Sequence, residues 1–166
     1  LDGHGSLVLD GDGLRGSFGA TVVATGLVEG TAAGTVAFDT NPATAYLRVT
    51  LATRGLALFL GSGGRGVSVS DASVALVVSA HAGTTEYAVD ASGAVALVGF
   101  PATLTGIARL RVSTFAGAVQ EEITLADGSG ILAVDLPAGP IESVEGSGLT
   151  LAVLGQALSA TLAFTR

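Results

Sequence analysis

The hexapeptide Gly61-Ser62-Gly63-Gly64-Arg65-Gly66 has the spacing of a phosphate-cradling GxGxxG loop. A dinucleotide site needs that loop between a strand and the N-terminus of a helix, whose amides and dipole hold the pyrophosphate. Here Val67-Ser68-Val69-Ser70 follows, an alternating strand sequence, so the segment reads as a hairpin turn. Nucleophilic catalysis needs a serine beside a histidine and an orienting acid. The only histidines are His4, flanked by glycines near the start of the sequence, and His81, in the polar stretch of residues 80–86. No serine sits in a Gly-x-Ser-x-Gly elbow, and both histidines read as exposed loop residues. Glu121 and Glu122 could suggest paired carboxylates for glycoside hydrolysis. Adjacent strand residues point to opposite faces, so these two cannot form the pair alone.

Calcium is the ligand these residue types suit best. Asp10 and Asp12, in Asp10-Gly11-Asp12-Gly13, could offer hard oxygens, as could Asp39 and Asn41 before Pro42. Asp-Gly pairs also form turns for backbone reasons alone, and the distal glutamate of an EF-hand loop is missing. Arg109 and Arg111 share one strand face and are expected to pair across strands with Glu121 and Glu122, a structural role. The sequence thus offers no enzymatic constellation and no cofactor site beyond this calcium candidate.

Composition narrows the classes further. Lysine is absent, seven arginines face fourteen acidic residues, and the net charge is -7. Such a chain repels nucleic acid, whose phosphates must be neutralised by cations, and is disfavoured at anionic membrane surfaces. Without cysteine there are no disulfides, thiolate nucleophiles or cysteine-ligated metals. Mean hydropathy is +0.66, yet no apolar run approaches the ~18 residues of a spanning helix. A transmembrane barrel would share the alternation seen here, but two Tyr and six Phe are too few for two aromatic girdles. The chain is therefore not expected to be an integral membrane protein. Leu1 in place of a starting Met suggests a processed product or part of something longer.

Any chemistry must be positioned by strands. Leu47, Val49 and Leu51 alternate with Tyr46, Arg48 and Thr50; Leu56, Leu58 and Leu60 repeat the pattern, as do Val74, Leu76 and Val78. Leu104, Ala108, Leu110 and Val112 oppose Ile107, Arg109, Arg111 and Ser113, and Leu149, Leu151, Val153, Leu158, Leu162 and Phe164 continue the theme. This is period two, and no window sustains a capped helical pattern. Connectors at residues 10–13, 90–93, 127–130 and 155–156 supply the glycines that tight hairpins need. About ten to twelve strands of five to nine residues are expected. Their core would be thin, since aromatics make up 5% of a chain that is 49% hydrophobic. The expected fold is all-β, with antiparallel, hairpin-connected strands in a β-sandwich or elongated β-stack; a β-solenoid is the alternative.

An ordered self-similarity runs through the chain. Residues 5–11 resemble 93–99, and residues 55–61 resemble 148–155. Residues 1–166 thus read as one β-rich unit, or as two tandem copies of a roughly 90-residue module, about 5–91 and 92–166. Chance matching of glycine-flanked Leu/Val strands is the competing explanation.

The ladder from Gly148 to Arg166, with its Gly155-Gln156 hairpin, resembles repeat modules of very large secreted bacterial surface proteins, adhesin-like or S-layer-like. So does the stretch from Val95 to Phe115, with Gly99 and Leu104-Thr105-Gly106 between strands. The resemblance implies an extracellular or cell-surface repeat protein without catalytic residues. The calcium-binding nonapeptide of related arrays is absent. The expected function is a structural or assembly module of a surface or filament protein, whose partners are itself or neighbouring modules. The alternative is a β-sandwich that binds cell-surface glycans or another ligand; its aromatic platform would have to come from Tyr46, Tyr87 and a few Phe.

Overall fold

The computed structural model describes the backbone of residues 2–10, 13–24, 28–41, 46–125 and 128–166; side chains are described for residues 35 and 37 and, within those ranges, from Leu47 onward. Every regular element among these residues is a strand: β1 (Asp2–Asp10), β2 (Gly13–Ala24), β3 (Val28–Asn41), β4 (Tyr46–Ser62), β5 (Arg65–His81), β6 (Thr84–Val98), β7 (Ala102–Ser113), β8 (Val119–Thr124), β9 (Ile131–Leu136), β10 (Ile141–Val153) and β11 (Gln156–Thr165). Nine of them form one open sheet in the order β1-β2-β3-β4-β5-β6-β7-β10-β11, each antiparallel to its neighbour. The six strands β4–β7, β10 and β11 carry the described side chains of this sheet apart from residues 35 and 37 of β3. β8 and β9 form a separate hairpin. The all-β, antiparallel, hairpin-connected expectation is observed. The second layer is one hairpin rather than a second broad sheet.

The strands are longer than expected, up to 17 residues in β4 and β5. The reason is a line of β-bulges. Register shifts fall between Thr53 and Leu56 on β4, Ser70 and Ser73 on β5, and Gly146 and Leu149 on β10. Left-handed residues sit at each: Gly55 (φ 68°), Asp71 (φ 51°) and Gly148 (φ 58°). An extra residue flips the alternation of everything beyond it. The sequence flips its own alternation at the same places. On β4 the leucines are odd-numbered to Leu51 and even-numbered from Leu56, with Phe59 left on the opposite face; on β10 Val144 precedes the bulge and Leu149, Leu151 and Val153 follow it. The two reversals cancel, so one sheet face is apolar throughout.

The register defines both faces. Leu51, Leu76, Val89 and Val112 line one row of the apolar face, and Leu151 lies between Leu104 and Leu158 in another. On the opposite face Thr50, Val77, Ala88 and Ser113 form a row, beside Ala52, Ala75, Asp90, Arg111 and Ser143. The β8–β9 hairpin packs on this second face, which beneath it is made of alanines, Val77 and polar side chains.

One sequence-based assignment changes here. Residues 90–93 are not a connector; they lie within β6. Asp90 is held by an arginine of the next strand, and a Cβ on Gly93 would stand 2.7 Å from Val69 Cγ1 and 2.9 Å from Ala72 Cβ. The glycine meets close packing there rather than a turn. The junction between the two tandem copies read from the sequence, residues 91 and 92, also falls inside β6. The GxGxxG segment is the β4–β5 hairpin turn, with Gly63 and Gly64 at φ 60° and 73°.

Candidate functional site

The seat of the hairpin is made of alanines. Ala52 of β4, Ala75 and Val77 of β5 and Ala88 of β6 are 0–2% exposed, and they meet Val119, Ile123, Leu125, Val134 and Leu136. Small side chains on the sheet let the hairpin approach closely, and the hairpin supplies the bulk. Its alternation fits: Val119, Glu121 and Ile123 face inward opposite Leu136, Val134 and Leu132, while Gln120, Glu122, Thr124, Ala133 and Asp135 are exposed.

Two arginines of β4 pin it. Arg48 Nη2 donates to Glu121 Oε2 at 2.5 Å. Arg54 spans the hairpin's turn, donating to the carbonyls of Ser129 and Ile131, each at 2.9 Å. At Gly130 the backbone has φ +130°, and a Cβ would lie 3.3 Å from Arg54 Nη1. Glycine is therefore favoured by conformation, and a Cβ would also crowd the Arg54 guanidinium.

Beside the hairpin the same sheet face opens into a cleft of about 450 Å³, lined by Asp90, Arg109 and Glu145 together with Ser73, Ser92 and Leu132. Arg109 forks onto Asp90, with Nε to Oδ1 at 2.9 Å and Nη2 to Oδ2 at 2.5 Å. Asp90 is nearly buried, with 10% of its side chain exposed against 45% for Arg109. The hydrogen bond to Asp90 raises the Arg109 guanidinium above its ordinary value. Arg111 donates to Glu145, which also accepts from Ser143 Oγ at 3.3 Å. The Nε of Arg111 is buried without a hydrogen-bond partner.

The expected partners of these arginines are thus corrected. Arg109 and Arg111 pair with Asp90 and Glu145 on the flanking strands β6 and β10, because register places those acids beside them. Glu121 goes to Arg48 and Glu122 is exposed, since β8 lies on top of the sheet rather than beside β7.

What the cleft can do follows from its charges. Two carboxylates converge on it, each already bound by an arginine. The Arg111 hydrogen bond is the main cause that holds the Glu145 carboxyl below the usual glutamate value. A general acid needs the opposite shift. Both carboxylates are thus engaged by arginines beside a hydroxyl-lined opening.

This shift has a testable consequence. A carboxyl depressed by folding contributes stability above its unfolded value and loses it as the pH falls through the folded one. Stability should therefore decline on acidification, starting near the ordinary glutamate value of 4.5 and finishing below it. Urea titrations at stepwise lower pH should show a shallower decline for Glu145→Gln than for the parent chain. Parallel curves would remove Glu145 from the account.

The remaining candidates are scattered. His81 ends β5, exposed beside the tight turn at Ala82 and Gly83. Asp10 ends β1, but its side chain, like that of His4, lies outside those described. Asp12 and Pro42 are outside the described residues altogether, as are the side chains of Asp39, Asn41 and Tyr46. Among the described residues no group of three or more His, Asp or Glu is placed to hold a metal ion. Tyr87 on β6 and Phe164 on β11 share the apolar face but are separated by β7 and β10. No helix among the described residues is long and apolar enough to cross a membrane.

Fold and site together define an open antiparallel β-meander carrying one docked hairpin. In comparisons with protein-family models, with curated proteins and with solved structures, no match to this chain was found.

Proposed function

We propose that this chain is a structural module of a secreted bacterial surface or extracellular filament protein, and that it works by associating with itself or with neighbouring modules. One observation carries the reading. β11 is an edge strand of ten residues that, among the described residues, pairs with β10 alone, and every residue from Gln156 to Thr165 is exposed. Its sequence, Gln-Ala-Leu-Ser-Ala-Thr-Leu-Ala-Phe-Thr, contains no charge and no proline. Proteins that avoid association blunt such edges with lysines, prolines, bulges or short strands. β11 itself has none of those devices, the bulge of this pair lying on β10, and among the described residues nothing pairs with its outer row of backbone donors and acceptors, the arrangement that accepts a strand from another molecule. The extracellular setting is supported by the resemblance of residues 148–166 to repeat modules of surface proteins.

Light scattering and electron microscopy of the purified chain test this. Assemblies larger than a dimer are expected, and Ser159→Lys with Thr161→Lys, which place charges along β11, should abolish their growth. If the parent chain forms nothing larger than a dimer at high concentration, or if assemblies grow unchanged in the lysine variant, the reading falls.

A further inference from the structure

We infer that two copies of this chain pack face to face through the apolar surface of the large sheet. The inference rests on the assembly reading and adds a second contact, distinct from the β11 edge.

The hairpin covers the face made of Ala52, Ala75, Ala88 and the arginine–carboxylate pairs. The face that carries the large apolar residues is covered by nothing among the described residues. Ten of its large side chains, including Leu47, Tyr87, Leu110, Val144, Leu162 and Phe164, are 37–68% exposed. Together they equal about five fully exposed side chains, on the order of 700 Å² at ~150 Å² each. The largest apolar patch of a typical monomer is ~300–600 Å². One partner of a standard protein interface contributes ~800 Å².

Charge selects the occupant. The register leaves the described rows of this face uncharged except at strand ends, where Arg65 opens β5, Glu142 lies at the start of β10 and Arg166 follows β11. A dry centre with a sparse rim of both signs is the anatomy of a protein interface. An anionic lipid surface would call for a cluster of basic residues, and the chain carries -7 overall. A second copy brings the same uncharged rows, so a two-fold arrangement places like against like without opposing charges at its centre. Two sheets stacked this way form the sandwich layer that each chain lacks on that side. The net charge still repels the copies at long range, so added salt should tighten the pair.

The test uses the Ser159→Lys/Thr161→Lys chain, in which the edge is blocked, so that failure of edge pairing and failure of face pairing are read separately. Sedimentation equilibrium should show a monomer–dimer equilibrium whose dissociation constant falls as salt rises. Leu110→Thr with Val144→Thr keeps β-forming residues at half-exposed positions and should weaken the dimer about tenfold or more. Because the chain has no cysteine, Val112→Cys with a spin label adds a direct readout, a short inter-label distance that disappears in the threonine variant. A strictly monomeric chain, or a dimer unaffected by the threonine substitutions, overturns the inference. Binding to phosphatidylcholine vesicles through the same residues with no dimer in solution would overturn it in favour of lipid.

Discussion

Leu136→Ala should lower the unfolding free energy by about 3 kcal/mol, more than any single substitution on the opposite sheet face. Leu136 is 1% exposed and belongs to the cluster formed with Val134, Val77, Ala52, Ala75 and Ala88. Large-to-small changes in cores cost ~2–5 kcal/mol, and the value depends on how far the surroundings can collapse into the space. The sheet side of this cluster is Ala52, Ala75, Ala88 and Val77, fixed in strands, with little side chain to swing inward. The hairpin backbone is held from the side by Arg48 and Arg54, so it cannot settle freely either. The cavity should therefore persist. A two-stranded hairpin is marginal by itself, so the loss should appear first as faster amide exchange in β8 and β9, and then as a lower urea midpoint. Leu110→Thr provides the contrast: at 40% exposure it leaves no enclosed cavity and should cost well under half as much in a monomer. Equal losses at the two sites would mean that the hairpin is not the core-forming element.

The alternation of Leu, Val and Thr made the strand class legible, and glycines marked turns, including Gly63-Gly64 and Gly155, although the last turn is Leu154-Gly155 rather than Gly155-Gln156. The bulges were also written in the sequence, in the parity change between Leu51 and Leu56 and between Val144 and Leu149. A reader who treats each alternating run as a separate short strand misses them, because a bulge and a turn use the same residues. The candidate site was far less legible. Alternation shows which residues share a face, and it is silent on which face another element covers. On the sheet itself burial runs partly against the hydrophobic signal, since Ala52, Ala75 and Ala88 are covered while Leu47, Leu110 and Val144 are not. Residues 90–93 resembled a turn because Asp and Gly favour turns locally. The contacts that hold them in β6, Arg109 on Asp90 and Val69 against Gly93, come from other strands. Arg109 and Arg111 could be recognised as ion-pair formers, but their partners depended on β10 replacing β8 as the neighbour of β7.

The second large effect is expected at Arg109. Removing it with Arg109→Ala leaves the Asp90 carboxylate, 10% exposed, without the two hydrogen bonds that satisfy it. A hydrogen bond to a charged group contributes ~1.5–3 kcal/mol, and orphaning a buried charge costs more than deleting the pair. Arg109 is itself 45% exposed, so water screens part of the attraction and can reach the vacated space. A loss of about 2 kcal/mol follows, below the ~3–5 kcal/mol of a fully enclosed pair. Asp90→Asn in the Arg109→Ala background removes the uncompensated charge and should recover part of that loss. A double-mutant cycle with Asp90→Ala and Arg109→Ala should give a coupling energy of about 1–2 kcal/mol, several times that of an ordinary surface pair. A coupling below about 0.5 kcal/mol would show that the bidentate geometry is ornamental. The cleft beside the hairpin would then owe its shape to the alanine seat and the β4 arginines alone.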